Sequence, residues 1–431
     1  MLEMSFESIA KNFLSAPKQD FIVDRGEGIY LYDSKGNRWI DCASATFNLS
    51  LGYSNEEVIE AAFQQAKKLI HVTSGYMTAP IAELTERLLK ILPINLNKIH
   101  LKVGGGSEAN EGAIKMAQTA TGKKEVISCY YSHLGQTIYT MKASGNSFRS
   151  ECFGFSNMDV IKVPAPYCKR CFFGKTEDSC NLECATKIDE ILKFGSSGQV
   201  AAMIIEPIFG NGDNIIPPIE YIKAIRKYCS NNNIALIFDE IQTGIGRTGE
   251  WFAMDFFEVA PDFVSIAKGL GGTGFQVAAI AASEKFCKMD PMHHSFTYGS
   301  NVMSAAAAAK TIEIIERDDI LNNVKKVGSL ILDRLNEMKQ KYKIIFDVRG
   351  IGLMIGIELA DEEGNPDVAL TNRLQNVAFE NGLIMRTSRY GRGNVIKVRP
   401  PLIITEEQAH DLCDRFDKSL ETVCKRLPVE A

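Results

Sequence analysis

Ile234–Gly272 reads IALIFDEIQTGIGRTGEWFAMDFFEVAPDFVSIAKGLGG. Two short apolar runs lie inside it, and each ends in one charged residue. Ile234–Phe238 ends at Asp239, and Phe263–Ala267 ends at Lys268. A short apolar run bounded by turn signals is expected to form a strand buried on both faces. A charge at the carboxyl end of such a strand sits where open α/β sheets bind ligands. Taken singly, each residue has an ordinary explanation: an aspartate at a strand end often caps a turn, and most lysines are solvated. The pair, flanked by Gln242-Thr243-Gly244 and Gly269-Leu270-Gly271-Gly272, is more specific.

The rest of the composition narrows the class. A chain of 431 residues can bury a sizeable core and, on length alone, is expected to hold two or three domains. It is 45% hydrophobic and 23% charged, the balance of a soluble globular protein. A net charge of −5 gives no basic field for nucleic acid, and no apolar run is long enough to span a membrane. The start, MLEMSFESIAKNFLSAPKQD, lacks the basic, apolar and small-residue segments of a secretory signal, so a cytoplasmic protein is expected. Eleven cysteines are then expected as reduced thiols or metal ligands.

An aspartate and a lysine placed in this way suit pyridoxal phosphate. The lysine forms a Schiff base with the aldehyde, and the carboxylate keeps the pyridinium nitrogen protonated so that the ring acts as an electron sink. The segments Phe238-Asp239-Glu240-Ile241-Gln242-Thr243-Gly244, Arg247-Thr248-Gly249 and Ala267-Lys268-Gly269 resemble the class III aminotransferases. The resemblance implies an α/β chain of the aspartate aminotransferase-like fold type I, with a mixed, mostly parallel sheet in a large domain. It implies a smaller α+β domain built from both chain ends: residues 1–55 and 321–431, around a large domain at 56–320. It also implies a homodimer with active sites at the subunit interface, acting on small-molecule amines and keto acids.

Further segments extend the resemblance. Gly104-Gly105-Gly106-Ser107 opens a helical pattern, and backbone N–H groups at a helix start make an anion site. It is similar to the family's phosphate loop, with Gly105, Gly106 and Ser107 in the matching places and Gly105 replacing the usual serine. By the same register His133 takes the place of the aromatic residue that stacks on the cofactor ring. Glu206-Pro207-Ile208-Phe209-Gly210-Asn211-Gly212 resembles the family's Glu-Pro-Ile-Gln-Gly-Glu-Gly run, with Phe209 for Gln and Asn211 for the glutamate that gates dual-substrate recognition. Gln242 is expected near the cofactor's phenolic oxygen. Thr297, in Ser295–Asn301, matches the threonine that binds the partner subunit's cofactor phosphate. Phe47 and Tyr76 lie in segments that line the family's substrate site.

In Asn394–Leu402, Lys397 stands where many family members have a carboxylate-binding arginine. Arg399 is two residues on, on the same side of a strand, so the two are expected to form one cationic patch for substrate. The same scaffold also carries lyases acting on phospho- or phosphono-amines, and racemases. Between 166 and 186 stands an unusual insert. Cys168 and Cys171 are followed, eight residues later, by Cys180 and Cys184. Two close thiol pairs fit a structural zinc site, or an iron–sulfur cluster; the alternative is four free thiols in a surface loop.

Overall fold

A computed structural model describes residues 21–146, 159–388 and 391–425. Residues 1–20, whose sequence reads as a helix plus linker, lie outside this range. The central sheet has seven strands: β1 (Lys98–His100), β2 (Glu125–Cys129), β3 (Val160–Val163), β4 (Val200–Ile205), β5 (Ala235–Asp239), β6 (Phe263–Ile266) and β7 (Ala279–Ala282). Their spatial order is β1-β7-β6-β5-β4-β2-β3. The five strands from β6 to β3 are parallel, and β7 runs antiparallel to both its neighbours. The fold is therefore α/β, with a mixed and mostly parallel sheet.

The strands read as continuous apolar runs because both faces are covered. Along β4, Ala202 and Ile204 join the core under helix α1 (Gly106–Thr121), while Met203 and Ile205 join the core on the opposite face. Ala235/Ile237 and Leu236/Phe238 split in the same way along β5. This is the two-residue period of a strand, with hydrophobic side chains on both sides. Helix α1 ends at Gly122, whose left-handed backbone (φ 71°) closes the last turn. Phe275–Ala282 reads from its apolar composition as one buried strand, but only Ala279–Ala282 forms it. Pairing with β6 begins only at Ala279↔Ile266, and the chain before it passes the sheet edge to line a cavity.

Two four-stranded sheets complete the molecule. One orders Val23–Glu27, Tyr30–Asp33, Arg38–Asp41 and Leu383–Ile384, joining the two ends of the chain. The other orders Ile345–Ile351, Met354–Leu359, Val395–Val398 and Arg386–Thr387. A buried ionic cluster ties the second sheet to the central one. Glu358 accepts from Arg349 Nη1 at 2.7 Å, Tyr167 OH at 2.7 Å and Arg170 Nε at 2.5 Å. Arg349 also donates to the backbone oxygens of Asp213 and Asn214, in the loop after β4. Removing the shared acid leaves Arg170 without its carboxylate and Arg349 with Asp347 Oδ2 alone, at 2.9 Å. Glu358→Ala is expected to cost about 3–5 kcal/mol of unfolding free energy, read from the shift in a urea midpoint. A loss under 1 kcal/mol would contradict this account. No helix among the described residues is long and apolar enough to cross a membrane.

Candidate active site

Three charged side chains meet at the carboxyl edge of the central sheet. Glu206 follows β4, Asp239 ends β5, and Lys268 stands two residues beyond β6. Since β4, β5 and β6 are parallel neighbours, their ends converge. All three side chains line one cavity of about 380 Å³, within the usual range for a small-molecule or cofactor site. Gly104–Ser107, His133, Gly135, Gln242 and Gln276 complete much of its wall.

Each group is held by the local chain. Asp239 Oδ2 accepts from Asn110 Nδ2 at 2.6 Å, and Oδ1 accepts from the Ile241 N–H at 3.0 Å. Glu206 accepts from the His133 N–H at 2.7 Å and the Gly210 N–H at 3.0 Å. Lys268 has φ 43°, in the left-handed region that a side chain rarely adopts. The loop after it is clamped from the N-terminal segment: Ser50 Oγ donates to Gly269 O, Leu51 N to Gly272 O, and Thr273 Oγ1 to Gly52 O. The lysine therefore keeps a strained backbone that the surrounding structure enforces.

Burial sets the electrostatics. It pushes the carboxyls of Asp239 and Glu206 above their ordinary range, and for Glu206 the neighbouring Asp239 charge adds to the rise. It brings the Lys268 amine down to about 8, against the pull of Asp239 and Glu206. Lys268 thus has an appreciable neutral, nucleophilic fraction near neutral pH. Capture of an aldehyde by this amine is expected to speed up about tenfold per pH unit below pH 8 and to level off above it. Rapid-mixing absorbance over pH 6–9 measures this; a flat profile would contradict it.

Pyridoxal phosphate fits these residues. Helix α1 begins at Gly106 with no side chain capping its first N–H groups, and a Cβ at Gly105 would meet only open space. That leaves an uncapped helix start facing the cavity, suited to a phosphate. At the far side a buried acid, Asp239, suits a ring nitrogen, and Lys268 suits the aldehyde.

Beyond the cavity, Lys397 is buried and its Nζ donates to Asn211 Oδ1 at 3.1 Å. The Phe47 ring centroid lies 5.5 Å from its Nζ. Phe47 and Lys397 both line a second cavity of about 330 Å³ that also takes in Arg386. Arg399 is buried too, but its two terminal nitrogens donate to Gln242, Gly210 and Asn214. Tyr76 and Thr297 are exposed on the surface of this single chain. Asn110 was not singled out from the sequence. The available signal was its place four residues after Gly106, which sets both on one face of a helix starting at the glycine run.

The four insert cysteines border one small cavity of about 30 Å³. Among the described residues no group of three or more His, Cys, Asp or Glu is arranged to hold a metal. The thiols have other engagements: Cys180 Sγ contacts Glu183 Oε2 at 3.4 Å, Cys168 Sγ contacts Pro166 O at 3.9 Å, and Cys184 packs against the core, where burial pushes its thiol up to about 12.

Comparison with known proteins agrees with this geometry. Residues 14–420 match the family model described as aminotransferase class-III. The chain belongs to the class III aminotransferase family. It is 36% identical over 412 residues to the leucine/methionine racemase of Thermococcus litoralis, covering 93% of this chain and 91% of that protein. It is 34% identical to the acetylornithine aminotransferase of Methanothermobacter thermautotrophicus, covering 91% of each. Among solved structures, a transaminase from the marine bacterium Virgibacillus superposes with a TM-score of 0.91 at 27% identity, over 99% of this chain and 100% of that one. An amine transaminase from an uncultivated Pseudomonas species, solved with pyridoxal phosphate bound, gives 0.88 at 26% identity, over 95% and 97%. This class III chain therefore has the fold type I architecture and is an enzyme of a pyridoxal phosphate-dependent family.

Proposed function

We propose that the protein is a transaminase that moves an amino group from an amine or ω-amino acid to a keto acid such as pyruvate or 2-oxoglutarate. The observation that carries the reading is the buried Lys268 amine, sharing one cavity with Asp239 and an uncapped helix start. Bound pyridoxal phosphate supplies an aldehyde that traps the amine and a ring that takes up electrons. Gly105, Gly106 and Ser107 would hold the phosphate, His133 would cover the ring, and Asp239 would keep a proton on its nitrogen. The Lys268 Nζ would hold the cofactor's aldehyde carbon and, when free, would take the proton from the substrate carbon. Lys397, with no carboxylate partner among the described residues, binds the substrate's acid group beside Phe47.

A second reading, amino acid racemisation, is favoured by the 36% identical relative, which is named a racemase. There the same lysine would take a proton from the α-carbon and the proton would return on the opposite face. One experiment separates the two. The loaded enzyme is mixed with a panel of amines, ω-amino acids and α-amino acids without keto acid. Bleaching of the cofactor, reversed by pyruvate or 2-oxoglutarate, supports transamination. Loss of optical activity with the colour unchanged moves the protein to the racemases, and ammonia release with colour regained unaided moves it to the lyases.

The dimer is part of the same proposal. The backbone of Ile70 binds Met303, and the His71 ring packs against Tyr298, so segments 70–77 and 296–303 share one face. That face exposes Tyr76 (68%), Met77 (78%) and Tyr298 (74%), an apolar display that suits a partner surface. Thr297, beside Tyr298, would then reach the partner's cofactor phosphate. Tyr298→Glu is expected to halve the molar mass seen by light scattering; a monomeric wild type would overturn the dimer.

A further inference from the structure

We infer that Arg399 is a positioning residue: it fixes the Gln242 side-chain amide so that its N–H₂ end, not its oxygen, faces the bound cofactor. The inference rests on the pyridoxal phosphate reading above and assigns Arg399 a task other than gripping substrate.

The chemistry of the donors decides the orientation. A guanidinium donates and never accepts. Arg399 Nη1 lies 2.6 Å from Gln242 Oε1, so the amide oxygen is committed to the arginine and the nitrogen is left to the cavity that Gln242 lines. Nη2 donates to Gly210 O at 2.6 Å and to Asn214 Oδ1 at 2.7 Å. Asn214 is oriented in turn, because its Nδ2 donates to the carbonyls of Arg349 and Met354. The guanidinium is thus braced on the side away from Gln242, and the Phe47 ring lies 4.6 Å from its Cζ.

The backbone is shaped for this contact. Gly210 sits so close that a Cβ there would collide with Gln242 Oε1. The Gly210 N–H also donates to Glu206 Oε2. One glycine therefore joins an acid of the cofactor cavity to the arginine that orients the amide. Arg399 is about 1% exposed, with both terminal nitrogens used before any substrate arrives.

An N–H₂ aimed at the cavity stabilises an anionic oxygen on the cofactor ring. Losing that donor makes the oxygen hold its proton more tightly and raises its titration midpoint. The test is an absorbance pH titration of the loaded enzyme without substrate, for wild type, Arg399→Met, Gln242→Ala and the double variant. The expected result is a rise of about one pH unit in each single variant, with the double variant matching Gln242→Ala alone. An Arg399→Met enzyme that binds cofactor with an unchanged midpoint overturns the inference, whether or not its KM for substrate rises or its melting temperature falls. Shifts that add in the double variant overturn it as well. If Arg399→Met does not fold, Arg399→Lys carries the test. A lysine ammonium lacks the rigid two-pronged fork that spans Asn214 and Gln242, so its midpoint is also expected to rise, and no rise overturns the inference. A wild-type protein that never acquires the cofactor's absorption band would instead overturn the reading beneath it.

Discussion

Lys268→Ala is expected to bind pyridoxal phosphate and to turn over at least about 10⁴-fold more slowly than wild type. That is about 5.5 kcal/mol of lost transition-state stabilisation. Two functions rest on the one amine. On the proposed reading it would anchor the cofactor and would move the proton at the substrate carbon, from a position that burial keeps partly neutral. The helix start at Gly106 and the acid at Asp239 do not depend on it, so cofactor is still held, now without a covalent link. Steady-state turnover and the absorbance of bound cofactor measure the two consequences separately. Wild-type turnover in this variant would remove the lysine, and with it the whole assignment.

Asp239→Asn is expected to lower kcat by about 10²–10³ while changing substrate KM much less. Asparagine fills the same space and keeps a partner for Asn110, so the fold is spared. It carries no charge to keep the ring nitrogen protonated, and the developing carbanion loses its sink. The buried carboxyl of wild type makes this contrast sharp: Asp239 is 5% exposed, and solvent does not replace it. A kcat within threefold of wild type would show that Asp239 serves another purpose.

How much of this was readable beforehand follows from what each signal encodes. The runs before Asp239 and Lys268 are short, apolar over consecutive residues and bounded by turn signals, as a doubly covered strand is, so the parallel sheet and its charged edge were legible. The glycine run before α1 was legible for a local reason too, since the helix begins at the second of those glycines in the phosphate-loop register. What escaped depends on contacts between distant segments. Asn110 reaches Asp239 across 129 positions, and Arg399 reaches Gln242 across 157. A two-residue period puts Lys397 and Arg399 on one side of a strand but says nothing of partners waiting there; Asn211 takes one and Gln242 the other. The cysteine insert illustrates the same limit. Spacing brings thiols near one another along the chain, whereas a metal site needs their sulfur atoms to converge. Phe275–Val277 has the composition of a strand, but β6 has no further backbone to offer it before Ile266 meets Ala279.

Glu358 and its two arginines also bear on motion. A hinge opens cheaply only where the parts it separates let go of each other readily. Swinging the C-terminal sheet away from the central one would drag Arg349 off the carbonyls of Asp213 and Asn214, and Tyr167 and Arg170 off Glu358, all at once. Such a parting would cost far more than thermal fluctuation supplies during a catalytic cycle. At the rim of the cofactor cavity Thr46, Gly274 and Gln276 are exposed, outside this cluster. The C-terminal and central sheets are therefore expected to move as one frame.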